Sequence, residues 1–77
     1  MEDLTKKIQS MQLTKTDRRI ADYILEHMDS MGFQTLTSLS IEIGISDTSI
    51  IRFIRKLGFR GYAEFRQEMG KRIAMEY

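Results

Sequence analysis

Thr48, Arg52 and Arg55 are spaced four and three residues apart, which puts them on one face wherever the segment is helical. A hydroxyl beside two guanidiniums makes a surface of hydrogen-bond donors suited to anions and to the acceptor edges of nucleobases. A guanidinium in particular offers two parallel N–H groups to a partner such as guanine O6 and N7. Ser46 and Ser49 place hydroxyls at the head of the same segment, Ile51 places an aliphatic branch at its edge, and Lys56 and Arg60 place cations beyond it. From Thr48 to Ala63 there is no acid, while Arg52, Arg55, Lys56 and Arg60 all fall inside. The net charge of +1 over 77 residues hides this concentration. Residues 1–45 hold five Lys/Arg against seven Asp/Glu, whereas residues 46–77 hold seven against four.

The elements that must position these residues read as helices. With no proline and little β-type alternation, apolar residues recur at helical spacing throughout. Leu4, Ile8 and Met11 predict a short first helix with an acidic start at Glu2 and Asp3. Thr14 and Asp17 have the spacing of a capping box and open a second helix that buries Ile20, Ala21, Ile24, Leu25 and Met28, with Arg18, Arg19, Asp22 and Glu26 on its wet side. Asp29 to Gly32 breaks the period as a turn. Thr35 caps a third helix with Leu36, Leu39 and Ile43 on one side, and Gly44 ends it. Ser46 caps a fourth, in which Ile50, Phe53, Ile54 and Leu57 make an apolar stripe before Gly58 stops it. A fifth starts near Gly61 or Tyr62 and buries Tyr62, Phe65, Met69 and Ile73, with Gly70 weakening it. His27 reads as a boundary residue, and the six methionines as core filler and helix-face packing.

On a helical wheel with Thr48 at the origin, Arg52 falls at about 40° and Arg55 at about 340°, opposite the apolar stripe at about 140–240°. The third and fourth helices are joined as a helix-turn-helix requires: Ser40 is the small residue at the crossing, Gly44 the turn glycine, and Ile50 the apolar anchor six residues past it. In such a pair the second helix enters the major groove with its N-terminal residues on base edges. Thr48, Arg52 and Arg55 are expected to face bases, and Ile51 to meet a thymine methyl or pad the core. Ser46, Ser49, Lys56 and Arg60 are expected to hold mainly the backbone. Arg52 has a competing role, bracing a neighbouring helix through a carboxylate.

Other chemistries find little support. With no cysteine and a single histidine, there is no thiolate metal site and little material for a His-based triad. No phosphate-cradling glycine loop, G-x-S-x-G or H-E-x-x-H occurs. The expectation is no catalytic residue, no metal and no cofactor. No apolar run approaches the ~20 residues of a membrane span and no signal peptide opens the chain, so a cytoplasmic domain without a membrane partner is expected. The rival to a DNA-binding domain is a helical protein–protein module for dimerisation or as an adaptor.

The run Thr48-Ser49-Ile50-Ile51-Arg52-Phe53-Ile54-Arg55-Lys56-Leu57-Gly58-Phe59-Arg60-Gly61-Tyr62 resembles the helix-turn-helix signature of RpiR-type bacterial transcription regulators. Leu13-Thr14, Ile20-Ala21, Tyr23-Ile24-Leu25 and Leu39 fit the same pattern, so the resemblance covers essentially the whole chain. It implies an all-α domain of about five short helices. A three-helix, homeodomain-like core would carry the helix-turn-helix at about residues 35–57, with one further helix at each end. It also implies a homodimer on a double-stranded DNA operator. A C-terminal sugar isomerase (SIS) domain, not contained in residues 1–77, would bind a phosphosugar effector, and the target genes would serve sugar or amino-sugar metabolism, mostly under repression. Ser40 and Ile41 depart from the pattern, where alanine and a polar residue are common. Ile41 is therefore expected to be exposed, as a packing or dimer contact, and the Leu4, Ile8 and Met11 face is a second candidate dimer surface.

Overall fold

The computed structural model describes the backbone of residues 2–76 and the side chains of residues 4–71. Five helices follow one another: α1 (Glu2–Ser10), α2 (Lys15–Glu26), α3 (Leu36–Ile43), α4 (Asp47–Lys56) and α5 (Tyr62–Glu76). Among the described residues there is no strand. The expected all-α architecture, with three central helices and one at each end, is the one observed.

The caps explain why the helices start where they do. Thr14 Oγ1 accepts from the Asp17 N–H while the Asp17 carboxylate accepts from the Thr14 N–H, a complete capping box. Thr35 accepts from the Ser38 N–H, and Ser46 from the Ser49 N–H. The α3–α4 turn depends on Gly44, whose φ of 78° lies in the left-handed region that costs a side-chain-bearing residue about 1–2 kcal/mol.

Ser40 accounts for its own departure from the family pattern. Its hydroxyl donates to the Ile45 carbonyl at 2.6 Å, and its carbonyl accepts from the N–H groups of Gly44 and Ile45. An alanine there would close the turn without that side-chain bond.

The core is built from the stripes that periodicity marks. Ile20, Ala21 and Ile24 of α2, Leu39 and Ile43 of α3, and Ile50, Phe53 and Ile54 of α4 are buried, joined by Ile45 and Leu57 at the helix ends. Tyr62, Phe65 and Met69 of α5 close it from below, while Leu25 and Met28 are only partly buried. Ile73, expected on the same stripe, lies outside the described side chains. Met31 sits in the turn after α2 yet is fully buried, so that turn supplies core as well as a change of direction.

Leu4 and Ile8 correct one expectation. They are 5% and 2% exposed because α1 folds its apolar face onto the core of its own chain, and Met11 packs beside them. That face is therefore closed to a second copy. Ile41, by contrast, stands 75% exposed on α3, as expected, and Phe33 in the preceding turn is 73% exposed.

The chain returns on itself where α5 crosses the α2–α3 turn. A Cβ built on Gly32 would lie 2.7 Å from the Gly70 Cα, so the two backbones touch with no room for a side chain on Gly32. Around that contact Arg66 Nε donates to the Gly32 carbonyl at 3.2 Å, and the Tyr62 hydroxyl donates to the Gln34 carbonyl at 2.6 Å. Burial pushes the Tyr62 phenol above its ordinary pKa, which keeps the donated proton in place.

Candidate nucleic-acid interface

The fourth helix packs against α2, α3 and α5 through its buried stripe. Its buried stripe turns the opposite side to solvent, and the residues of that side are those the wheel put together. Thr48, Ile51, Arg52 and Arg55 line one open depression of about 240 Å³ on the outer face of α4. Ile51 is partly exposed and contributes to this depression rather than sinking into the core. Neither Arg52 nor Arg55 is ion-paired among the described residues, so Arg52 does not brace a neighbouring helix through a carboxylate. Arg55 Nε makes one long contact, 3.4 Å, to the Arg60 carbonyl, which ties its stem to the helix end.

The serines divide their work. Ser46 is the N-cap and also donates its hydroxyl to Ser49 Oγ at 3.1 Å. Ser49 therefore accepts from Ser46 and keeps its own proton for an outside acceptor. Asp47, the acid in the first turn, favours the positive end of the helix and lies just before the basic run.

Lys56, expected on the DNA backbone, has a partner within the chain that the sequence reading did not foresee. Its Nζ donates to Asp17 Oδ2 at 2.6 Å, across 39 residues of sequence, and joins the end of α4 to the start of α2. The Asp17 side chain is 7% exposed and that of Lys56 39%. Burial by itself would raise the Asp17 carboxyl. The bond to Lys56, the Thr14 backbone N–H and the lysine charge outweigh it and hold the carboxyl below its ordinary value. Lys56 is thus first a brace. Arg60 stands past the end of α4 with its side chain 94% exposed, 3.9 Å from Glu64 Oε2, where screening leaves such a pair little hold on it.

A second depression, of about 300 Å³, runs along the flank of α4 toward α2 and is lined by Thr14, Thr16, Asp17, Ser49, Arg52 and Lys56. Arg52 borders both depressions. The sequence reading stops short of Thr14, Thr16 and Asp17 as site residues. The capping box accounts for two of them as a helix start, and nothing in linear spacing brings α2 beside α4. Tyr62 and Phe65 lie in the core as expected, and His27 stacks on Tyr23 at 4.0 Å at the boundary.

Among the described residues no cluster of His, Cys, Asp or Glu has the arrangement to hold a metal, and no helix is long and apolar enough to cross a membrane. What the arrangement offers chemically is an outward row of donors on a rigid helix.

Known proteins resemble this chain over most of its length. Residues 2–76 match the model of the helix-turn-helix domain, rpiR family. The chain is 34% identical over 68 residues to an uncharacterized HTH-type transcriptional regulator of Providencia stuartii, covering 86% of this chain and 24% of that protein. It is 30% identical over 61 residues to an uncharacterized HTH-type transcriptional regulator of Clostridium perfringens, covering 79% and 22%. With the HTH-type transcriptional regulator HexR of Escherichia coli it shares 27% over 74 residues, covering 94% and 26%. The chain spans about a quarter of the length of these relatives. No solved structure matches it. With donors on an unobstructed helix, a glycine turn behind it and a family match over nearly every residue, the chain belongs to the rpiR family of helix-turn-helix domains, which are DNA-binding domains of transcriptional regulators.

Proposed function

We propose that the chain reads duplex DNA by laying the first turns of α4 in the major groove. In this reading Thr48, Arg52 and Arg55 address base edges and Ile51 meets a thymine methyl. Ser49 and Arg60 address the backbone, with Lys56 adding charge from its brace, while Ser46, its hydroxyl proton given to Ser49, serves as the cap. The supporting observation is the depression lined by Thr48, Ile51, Arg52 and Arg55, with neither guanidinium paired to a carboxylate among the described residues. Two copies bind two half-sites as a homodimer. Since the α1 face is closed, the exposed Ile41 is the remaining candidate contact from the sequence. Family resemblance supports a phosphosugar effector bound through a C-terminal sugar isomerase domain, and target genes in sugar or amino-sugar metabolism, under repression or activation.

Selection from a random duplex pool, followed by fluorescence anisotropy on the enriched duplex, tests this reading. An enriched sequence with two related half-sites is expected. Arg52→Ala, with its fold intact, should lose about 1–3 kcal/mol of discrimination on it. No enrichment over random duplex, or unchanged affinity in Arg52→Ala, sinks the base-reading role. The exposed Phe33 and Ile41 favour a second reading, a protein–protein module, in which Arg52 and Arg55 replacements leave partner binding intact.

A further inference from the structure

The depression between α2 and α4 shares only Arg52 with the base-facing one, and the rest of its lining is unlike that of a structural crevice. Thr14 Oγ1 accepts from the Asp17 N–H, so its own hydroxyl proton is free to donate. Thr16 is exposed and makes no side-chain hydrogen bond within the described residues. Ser49 keeps its proton, Arg52 lacks a carboxylate partner, and Lys56 retains ammonium hydrogens beyond the one given to Asp17. The one acid, Asp17, is buried and ion-paired, so the cleft carries Arg52, Lys56 and a neutralising Asp17, one net positive charge. These are the donors and the charge that a single phosphodiester requires.

Groove dimensions say where a phosphodiester would be. A helix with its side chains is about 10–12 Å across, and the major groove is about 12 Å wide. A helix seated there nearly fills it, and whatever is packed on the helix's flank meets the phosphate wall. The start of α2 is on that flank, joined to α4 by the Asp17–Lys56 pair and sharing Arg52 with the base-facing depression.

We infer that Thr14, Thr16, Ser49 and Lys56, with Arg52 at the rim, seat a backbone phosphate of the duplex whose major groove α4 enters. This rests on the proposed DNA reading and extends it to a second helix. Arg52 then lies between a base and a phosphate, and the seat fixes the depth to which α4 enters.

Thr16→Glu is the decisive substitution. It sits in the first turn of α2, where an acid favours the helix dipole, so the thermal midpoint should hold or rise. In the seat the same carboxylate repels the phosphate. Affinity for a labelled random-sequence duplex at low salt should fall about tenfold, the loss of a charge-assisted bond. The slope of log affinity against log salt should become shallower by about one. Thr16→Ala should show a smaller loss in the same direction. On the duplex enriched by selection, where the register is fixed, a methylphosphonate at the contacted phosphate should abolish the difference between Thr16→Glu and the parent chain. If Thr16→Glu binds like the parent while Arg52→Ala is weakened, the seat is wrong and the DNA reading stands. If the parent chain itself binds no duplex at low salt, both fall together.

Discussion

Replacing Lys56 by methionine separates bracing from charge, because it keeps most of the side-chain stem and removes the ammonium. The substitution leaves Asp17 7% exposed without its ion partner. Breaking a fully buried pair on one side costs about 3–5 kcal/mol, while an exposed pair is worth about 0–1 kcal/mol. Asp17 is nearly at the first limit, but Lys56 at 39% exposure lets water reach the vacated position, and the Thr14 N–H still holds the carboxylate. An intermediate loss of about 1–2 kcal/mol follows. In a chain of this size that lowers the thermal midpoint by roughly 4–16 °C.

The dependence on pH tells this mechanism from a general loss of packing. The Asp17 carboxyl is held below its ordinary pKa in the folded chain. A group depressed by folding contributes stability that is fully present above its unfolded value, about 3.9, and is lost as pH falls through the folded value. The parent chain should therefore exceed Lys56→Met in stability at neutral pH and converge with it in acid. Urea denaturation of both chains across that range is the measurement. Equal stability at neutral pH, or a gap that persists undiminished once Asp17 is protonated, would falsify the brace.

Two further outcomes follow from the Gly32–Gly70 crossing and from Ile51. Gly32→Ala forces a Cβ to 2.7 Å from the Gly70 Cα, backbone against backbone, so α5 must shift at about 1–3 kcal/mol. Gly70→Ala places its Cβ 3.9 Å from the Gly32 Cα, an ordinary contact, and should gain up to about 1 kcal/mol of helix propensity. Equal effects of the two alanines in thermal melts would refute the close crossing. At the interface, deoxyuridine in place of thymine across a selected duplex should cost the parent chain about 0.8 kcal/mol at a contacted methyl. Ile51→Ala should no longer distinguish the two duplexes in anisotropy, and an undiminished preference would remove Ile51 from the site.

Local chemistry was legible in the sequence to nearly residue resolution. Thr14, Thr35 and Ser46 are caps because a hydroxyl at the right offset satisfies a free N–H, and that offset is linear. The stripe Ile50, Phe53, Ile54 and Leu57 is buried because a helix has only one side to bury. The outward group Thr48, Ile51, Arg52 and Arg55 follows from the same wheel. What stayed hidden is whatever depends on which helices meet. The Leu4 and Ile8 face had two equally apolar destinations, its own core or a second copy, and periodicity does not choose between them. Lys56 read only as a backbone contact because its partner in the chain is 39 residues away. Gly70 read as a flaw in α5 because Gly32, which it meets, lies in another element.

These hidden contacts bear on how the interface works. The donor face has no scaffold of its own: opposite sides of α4 are core and donor surface, and α2, α3 and α5 pack on the core side. A helix so held has little freedom to rotate about its axis, because a turn that improved Arg52 on a base would pull Phe53 and Ile54 from the core. Adjustment to a sequence is then left to the side chains and to the DNA. On the proposed reading, the long stems of Arg52 and Arg55 would supply the first, and deformation of the duplex the second. The Asp17–Lys56 pair acts at the same point from the outside, by tying the end of the reading helix to the start of α2. A variant with a looser core at Phe53 should therefore lose discrimination between sequences before it loses affinity for DNA, since backbone contacts tolerate a rotation that bidentate base contacts do not.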